Sequence, residues 1–192
     1  MIRKLSYLFI IAGLLFAGIG GWQMWHSSKQ QHVAMKKAVA LTSTKKDPVK
    51  YEDWDPYKGE TIGILNIPRL DKKLPIVEGT SPDQLEKGVG HYKSSALPDK
   101  GDQIVLSGHR DTVFRHFGEI QKGDKVIVDL PYGTFTYVID HMKIVDQDDR
   151  SIIHSTKPKE ELVLTTCYPF SYVGNAPKRY IIYAYPEKEQ KQ

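Results

Sequence analysis

Cys167 is the one cysteine among 192 residues, so it forms no internal disulfide and is structural, reactive or incidental. It closes a β-type run, Glu161-Leu-Val-Leu-Thr-Thr-Cys167, and Tyr168-Pro169 follows at once. A thiol where a strand gives way to a loop is held by the sheet yet open to a substrate, which suits a nucleophile. Two other segments carry partners for it. Gln103-Ile-Val-Leu-Ser107-Gly-His109-Arg-Asp presents His109 after a strand, and Gly174-Asn-Ala-Pro-Lys-Arg179-Tyr-Ile-Ile puts Arg179 at the entrance to the last strand. Brought to one rim, the three suit acyl transfer. The thiolate attacks a carbonyl, the imidazolium protonates the departing amine, and the guanidinium binds the developing oxyanion.

Each residue also has a plainer role. A cysteine ending an apolar strand serves as a small buried hydrophobe, His109 as a turn residue bonded to backbone, and Arg179 as a surface ion-pair partner. Ser107, Thr165 and Thr166 flank the imidazole and the thiol, and alternation along the strand turns one of the threonines toward a cleft. With His91, in Gly88-Val-Gly-His91-Tyr92, they form the expected substrate-contacting set, although a structural loop histidine is the plainer reading of His91. His109-Arg-Asp111 echoes a kinase catalytic loop, but the expected Asn and a Gly-rich loop are missing. His109 and His116 lack a second ligand pair at zinc spacing, so no metal and no cofactor is expected.

The elements that must position these residues are short β-branched runs separated by Gly, Pro and Asp. They read as strands over Thr61–Ile67, Leu74–Val77, Gln103–Ser107, Lys125–Leu130, Thr134–Val145, Leu162–Thr166 and Tyr180–Ala184. Helix is scarce. Ser81–Gly88 has a cap residue, a proline at the first position and a glycine stop, and Phe114–Ile120 offers another turn. Many short strands with few helices predict an all-β, closed or nearly closed barrel over 60–186.

Ahead of it, 5–25 is free of charge and long enough to span a bilayer as a signal-anchor helix, with Arg3 and Lys4 before it and Trp22 and Trp25 at its far edge. A cleaved signal peptide is the rival, but Ala38-Val-Ala40 lies far beyond the apolar run. Residues 26–59 read as a polar, lysine-rich tether with some helix near its start, and 187–192 as a polar tail. Lysines on both sides of the span leave its orientation open. The net charge of +4 sits partly in the tether, and no basic face interleaved with aromatics is seen, so no nucleic-acid partner is expected.

Leu164-Thr-Thr-Cys167, Ser107-Gly-His109-Arg-Asp and Ala176-Pro-Lys-Arg179-Tyr closely resemble the signature segments of sortases, the cysteine transpeptidases of Gram-positive surfaces. The longer strings Gly108-His-Arg-Asp-Thr and Thr166-Cys-Tyr-Pro-Phe look most like class D. The resemblance implies an eight-stranded β-barrel, a cytoplasmic N-terminus (1–4) and a catalytic domain outside the cell. It implies surface proteins with a C-terminal LPxTG-like signal as substrates and a peptidoglycan precursor amine as acceptor. Cys167 would form the thioacyl enzyme, His109 would protonate the leaving amine, and Arg179 would hold the signal backbone and oxyanion. The thiol and imidazole would rest mostly as a neutral pair, making the rate pH-sensitive. The readings from other classes are a cysteine endopeptidase releasing product to water and a non-enzymatic envelope-binding β-domain with an inert thiol.

Overall fold

The computed structural model describes residues 2–43, 54–171 and 174–187. Residue 1, the middle of the expected tether (44–53) and the end of the polar tail (188–192) lie outside the described residues.

Eight strands close a barrel: β1 (Thr61–Ile67), β2 (Lys72–Glu78), β3 (Val89–His91), β4 (Gln103–Ser107), β5 (Lys125–Leu130), β6 (Gly133–Asp146), β7 (Glu161–Tyr168) and β8 (Lys178–Pro186). Around the barrel they run β1-β2-β3-β4-β7-β8-β6-β5. The pairs β2–β3 and β4–β7 are parallel and the others antiparallel. Closure leaves no open sheet edge, as the all-β expectation requires.

Strand alternation sorts β7 into two faces. Leu162 and Leu164 point into the barrel with Ile104, Leu106, Ile182 and Ala184. Val105, Val163, Ile181 and Tyr183 form a second cluster on the outer face, covered by Ile152 of the β6–β7 connection. Burial on both faces explains why β4 and β7 read as continuous apolar runs rather than alternating ones. The cover is pinned by two polar residues at the start of β4, Asp102 just before it and Gln103 as its first residue. Buried Gln103 donates to the Ile152 carbonyl (2.9 Å) and to Glu161 (3.0 Å) and accepts from the His154 amide (3.1 Å). Asp102 accepts from the Gln103 and Thr156 amides at 2.9 and 2.7 Å and from the Ser155 hydroxyl.

The expected helices are shorter than read. Ser81–Gly88 yields one turn, α2 (Pro82–Leu85), and Phe114–Ile120 a 3-10 turn at Phe117–Glu119. The stretch read as a tether differs more. A single helix, α1 (Ile2–Ser43), is the one described helix long and apolar enough to cross a membrane, and it runs on through the lysine-rich segment. That extension packs against β1 and β2. Ser27, Gln30, Gln31, Ala34, Met35, Ala38 and Thr42 form its inward stripe, with Ala34 and Ala38 fully buried. The spacing is helical, but apart from Met35 the stripe is built of small and polar residues and so carries little hydropathy signal.

Candidate active site

Register places the thiol. Cys167 pairs with Arg179 across β7 and β8, and Thr165 with Ile181. Directly opposed residues share a face, so Cys167 and Arg179 both project from the outer surface, past the apolar cluster that covers Val163 and Ile181. On the other flank Ser107 pairs with Thr165. The Gly108 amide then donates to the Thr165 carbonyl (3.1 Å), and the Thr166 hydroxyl to the Gly108 carbonyl (2.7 Å). The residue following this clasp is His109, which is solvent-exposed. A Cβ on Gly108 would lie 2.7 Å from both Val113 and Phe114, so any larger residue there must displace these buried side chains.

A cleft of about 600 Å³ opens over this rim. His109, Arg110, Asp111, Cys167 and Arg179 line it, with Gln147 and the loop Gly174–Pro177 forming another wall. Among the described residues Arg179 engages only Nη1, which donates to the Ala176 and Lys178 carbonyls at 3.0 Å each. Its other nitrogens make no hydrogen bond among the described residues. The set holds a thiol, an imidazole and a fixed cation around one space, which is what acyl transfer needs.

Sequence reasoning missed Arg110. Its side chain is buried, with Nη1 donating to Pro169 O (3.1 Å) and Nη2 to Gly174 O (3.0 Å). One guanidinium thereby ties the segment after Cys167 to the loop before Arg179. Nothing in the spacing of Gly-His-Arg-Asp marks the arginine as buried; only the two carbonyls it bridges reveal its use.

Other expected contacts are distributed unevenly. Ser107 and Thr165 lie on the outer face beside the cleft, half-buried. Thr166 is buried and spends its hydroxyl on Gly108, so its side chain faces away from the cleft. His91 does not join the cleft at all. It sits on β3 at 2% exposure, with Nδ1 at 2.7 Å from Glu78 Oε2 and Nε2 at 2.9 Å from the Ala96 carbonyl. Its ring is hydrogen-bonded to a buried carboxylate and a backbone carbonyl rather than turned toward Cys167. No group of three or more His, Cys, Asp or Glu residues able to hold a metal occurs among the described residues.

Comparison with known proteins decides the family. The Sortase domain profile matches residues 65–187. Sortase D of Bacillus subtilis (strain 168) is 55% identical over 192 residues, covering 94% of this chain and 97% of its own. The chain belongs to the sortase family. The catalytic domain of B. anthracis SrtD superposes with a TM-score of 0.60 at 42% identity, over 71% of this chain and 93% of its own. A Clostridium perfringens Sortase D5 transpeptidase shares the fold, with a TM-score of 0.74 at 20% identity over 83% of this chain and 99% of its own. Sortases are cysteine transpeptidases that act on surface proteins bearing sorting signals and on peptidoglycan, and this chain has a single cysteine.

Proposed function

We propose that this sortase cleaves an LPxTG-like sorting signal after its threonine and joins the released carboxyl end to a peptidoglycan amine, with Cys167, His109 and Arg179 as its catalytic residues. The observation that carries the reading is the shared cleft, in which the lone thiol faces the guanidinium across paired strands and the imidazole sits on the adjoining loop. The Cys167 thiolate attacks the threonine carbonyl carbon, and the electron pair moves onto oxygen beside Arg179. Collapse of that oxyanion breaks the C–N bond, and the departing nitrogen takes the proton of the His109 imidazolium. The product is a thioester on Cys167. The acceptor amine gives up a proton to neutral His109 as it attacks this thioester, and the thiolate leaves as the new amide forms.

The apolar part of α1 anchors the enzyme in the membrane with its N-terminus cytoplasmic and the barrel outside, where sorting signals and wall precursors meet. Ser107 and Thr165, beside the cleft, contact the bound signal.

A fluorogenic LPxTG- or LPxTA-type peptide tests the chemistry. Cleavage lost in Cys167→Ala, with thioester on Cys167 trapped by mass spectrometry in the parent, is the expected result; equal cleavage by both proteins would reject it. Added amine acceptor should appear in the product, whereas product carrying only a new carboxylate would assign hydrolysis instead.

A further inference from the structure

The seam between α1 and the barrel holds a second cavity, of about 320 Å³, away from the thiol cleft. Trp25, Lys29, Val33 and Lys37 form one row along the helix, at i, i+4, i+8 and i+12, and line one wall with Ala34. Gly59, Thr61 and Lys87 line the barrel side. All of its charged lining side chains are cationic; His26 adds an imidazole, and no carboxylate lines it. None of the three lysines takes part in an ion pair among the described residues. Lys29 is held with its ammonium 5.1 Å from the centroid of the Trp25 ring. The Lys87 ammonium reaches over the entrance to β1, 4.0 Å from where a Cβ on Gly59 would sit.

Depth identifies the ligand. The apolar span ends at Trp22 and Trp25, both exposed, and such tryptophans mark the headgroup level. A helix rises 1.5 Å per residue, so Lys29 lies roughly 6 Å beyond Trp25, within the headgroup layer that adds about 5–8 Å to each side of the hydrocarbon core. Lys37, roughly 18 Å beyond Trp25, lies past that layer. At headgroup depth the cavity therefore presents the Trp25 ring and the unneutralised Lys29 ammonium, with Lys87 contributed from the barrel side.

We propose that this cavity binds the phosphate of an anionic phospholipid, gripped by Lys29 and Lys87 with Trp25 against its glycerol and upper acyl atoms. The site rests on the membrane-anchor reading of α1. Binding would fasten the barrel to the bilayer at a second point, fixing the height and tilt of the thiol cleft above the surface.

The test titrates the full chain, in neutral detergent, with dihexanoyl-phosphatidylglycerol, its phosphatidylcholine counterpart and inorganic phosphate, reading tryptophan emission. Saturable binding of the glycerol lipid and none of the choline lipid is expected. At about 5-fold per lysine near an anionic headgroup, Lys29→Gln with Lys87→Gln should weaken binding about 30-fold. Lys36→Gln, a single charge lost from the same helix at a residue outside the cavity lining, should leave it unchanged. Circular dichroism of each variant should match the parent. Equal response to both lipids, unaltered binding by the double variant, or equal damage from Lys36→Gln would overturn the site. Inorganic phosphate binding as tightly as the lipid would overturn the lipid assignment. A chain that fails to partition into phosphatidylcholine vesicles would overturn the anchor, and with it the site; a chain that partitions but ignores the anionic lipid would overturn the site alone.

Discussion

His109 and His91 occupy neighbouring parts of the barrel and are used in opposite ways. His91, on β3, is enclosed and has both ring nitrogens spoken for, one by a carboxylate and one by a backbone carbonyl. His109 follows β4, the strand next to β3, yet stands in solvent at the lip of a cleft with the thiol and a half-engaged guanidinium. The difference is what separates a structural imidazole from a chemical one: a saturated ring holds strands together, and an unsaturated one beside a nucleophile can move a proton. The same contrast runs along β7, where Thr166 turns inward to clasp Gly108 and the next residue, Cys167, turns outward.

The largest effect should come from the thiol. Cys167→Ala removes the nucleophile and should lower kcat/KM by at least about 10⁴-fold in the peptide assay, with the thermal midpoint nearly unchanged because the residue is only half-buried. The two histidines then split the outcome. His109→Ala should cost about 10²–10⁴-fold in rate and, as a surface change, about 0.5 kcal/mol or less in stability. His91→Ala leaves Glu78 buried without its partner and should cost about 3–5 kcal/mol, while the folded fraction keeps its turnover. Chemical denaturation and kcat measured on both variants would erase the distinction if each lost the same quantity. Arg179→Ala comes next, at about 10²–10³-fold in kcat, the magnitude of one lost oxyanion donor.

Arg110 tests whether holding the rim together matters as much as the groups on it. Arg110→Lys keeps the charge but replaces a fork spanning two carbonyls with a single point donor. The Pro169 and Gly174 segments should loosen and kcat fall roughly 10- to 100-fold through misplacement, with KM changed less. A variant matching the parent in kcat would show that the loop before Arg179 is positioned without it.

The strands were readable because their boundaries coincide with turn residues: Thr61–Ile67, Gln103–Ser107 and Lys125–Leu130 emerge with the bounds expected from sequence. β3 was not, because three residues with a central glycine show neither alternation nor propensity; Val89–His91 is a strand by virtue of its neighbours, parallel to β2 and antiparallel to β4. Missing it is also what left His91 looking like a loop residue near the cleft. The docked half of α1 was hidden for a different reason. Apart from Met35, its inward stripe is alanine, serine, threonine and glutamine, residues whose fit depends on close approach to the barrel rather than on hydrophobicity. The cleft residues were legible at strand ends, whereas Arg110 was not, since burial of a guanidinium is decided by carbonyls about 60 positions away.

The smallest effect concerns the cover beside the cleft and carries a pH signature. The Gln103 amide first, then the Thr156 amide and the Ser155 hydroxyl hold the Asp102 carboxyl below the usual carboxylate range, with Lys157 adding to it. A folded-state pKa below the unfolded one means stabilisation that is complete above the unfolded value, roughly pH 4, and is lost as pH falls through the folded value. Asp102→Asn cannot ionise, so its thermal midpoint should lie a few degrees below the parent's at pH 7 and converge on it under acid. The β6–β7 connection that Asp102 pins carries Ile152 over Val163 and Ile181, the residues leading to Cys167 and Arg179. A constant gap between the two proteins from pH 7 down to pH 2 would mean that Asp102 acts there by shape alone, and that the cover owes nothing to its charge.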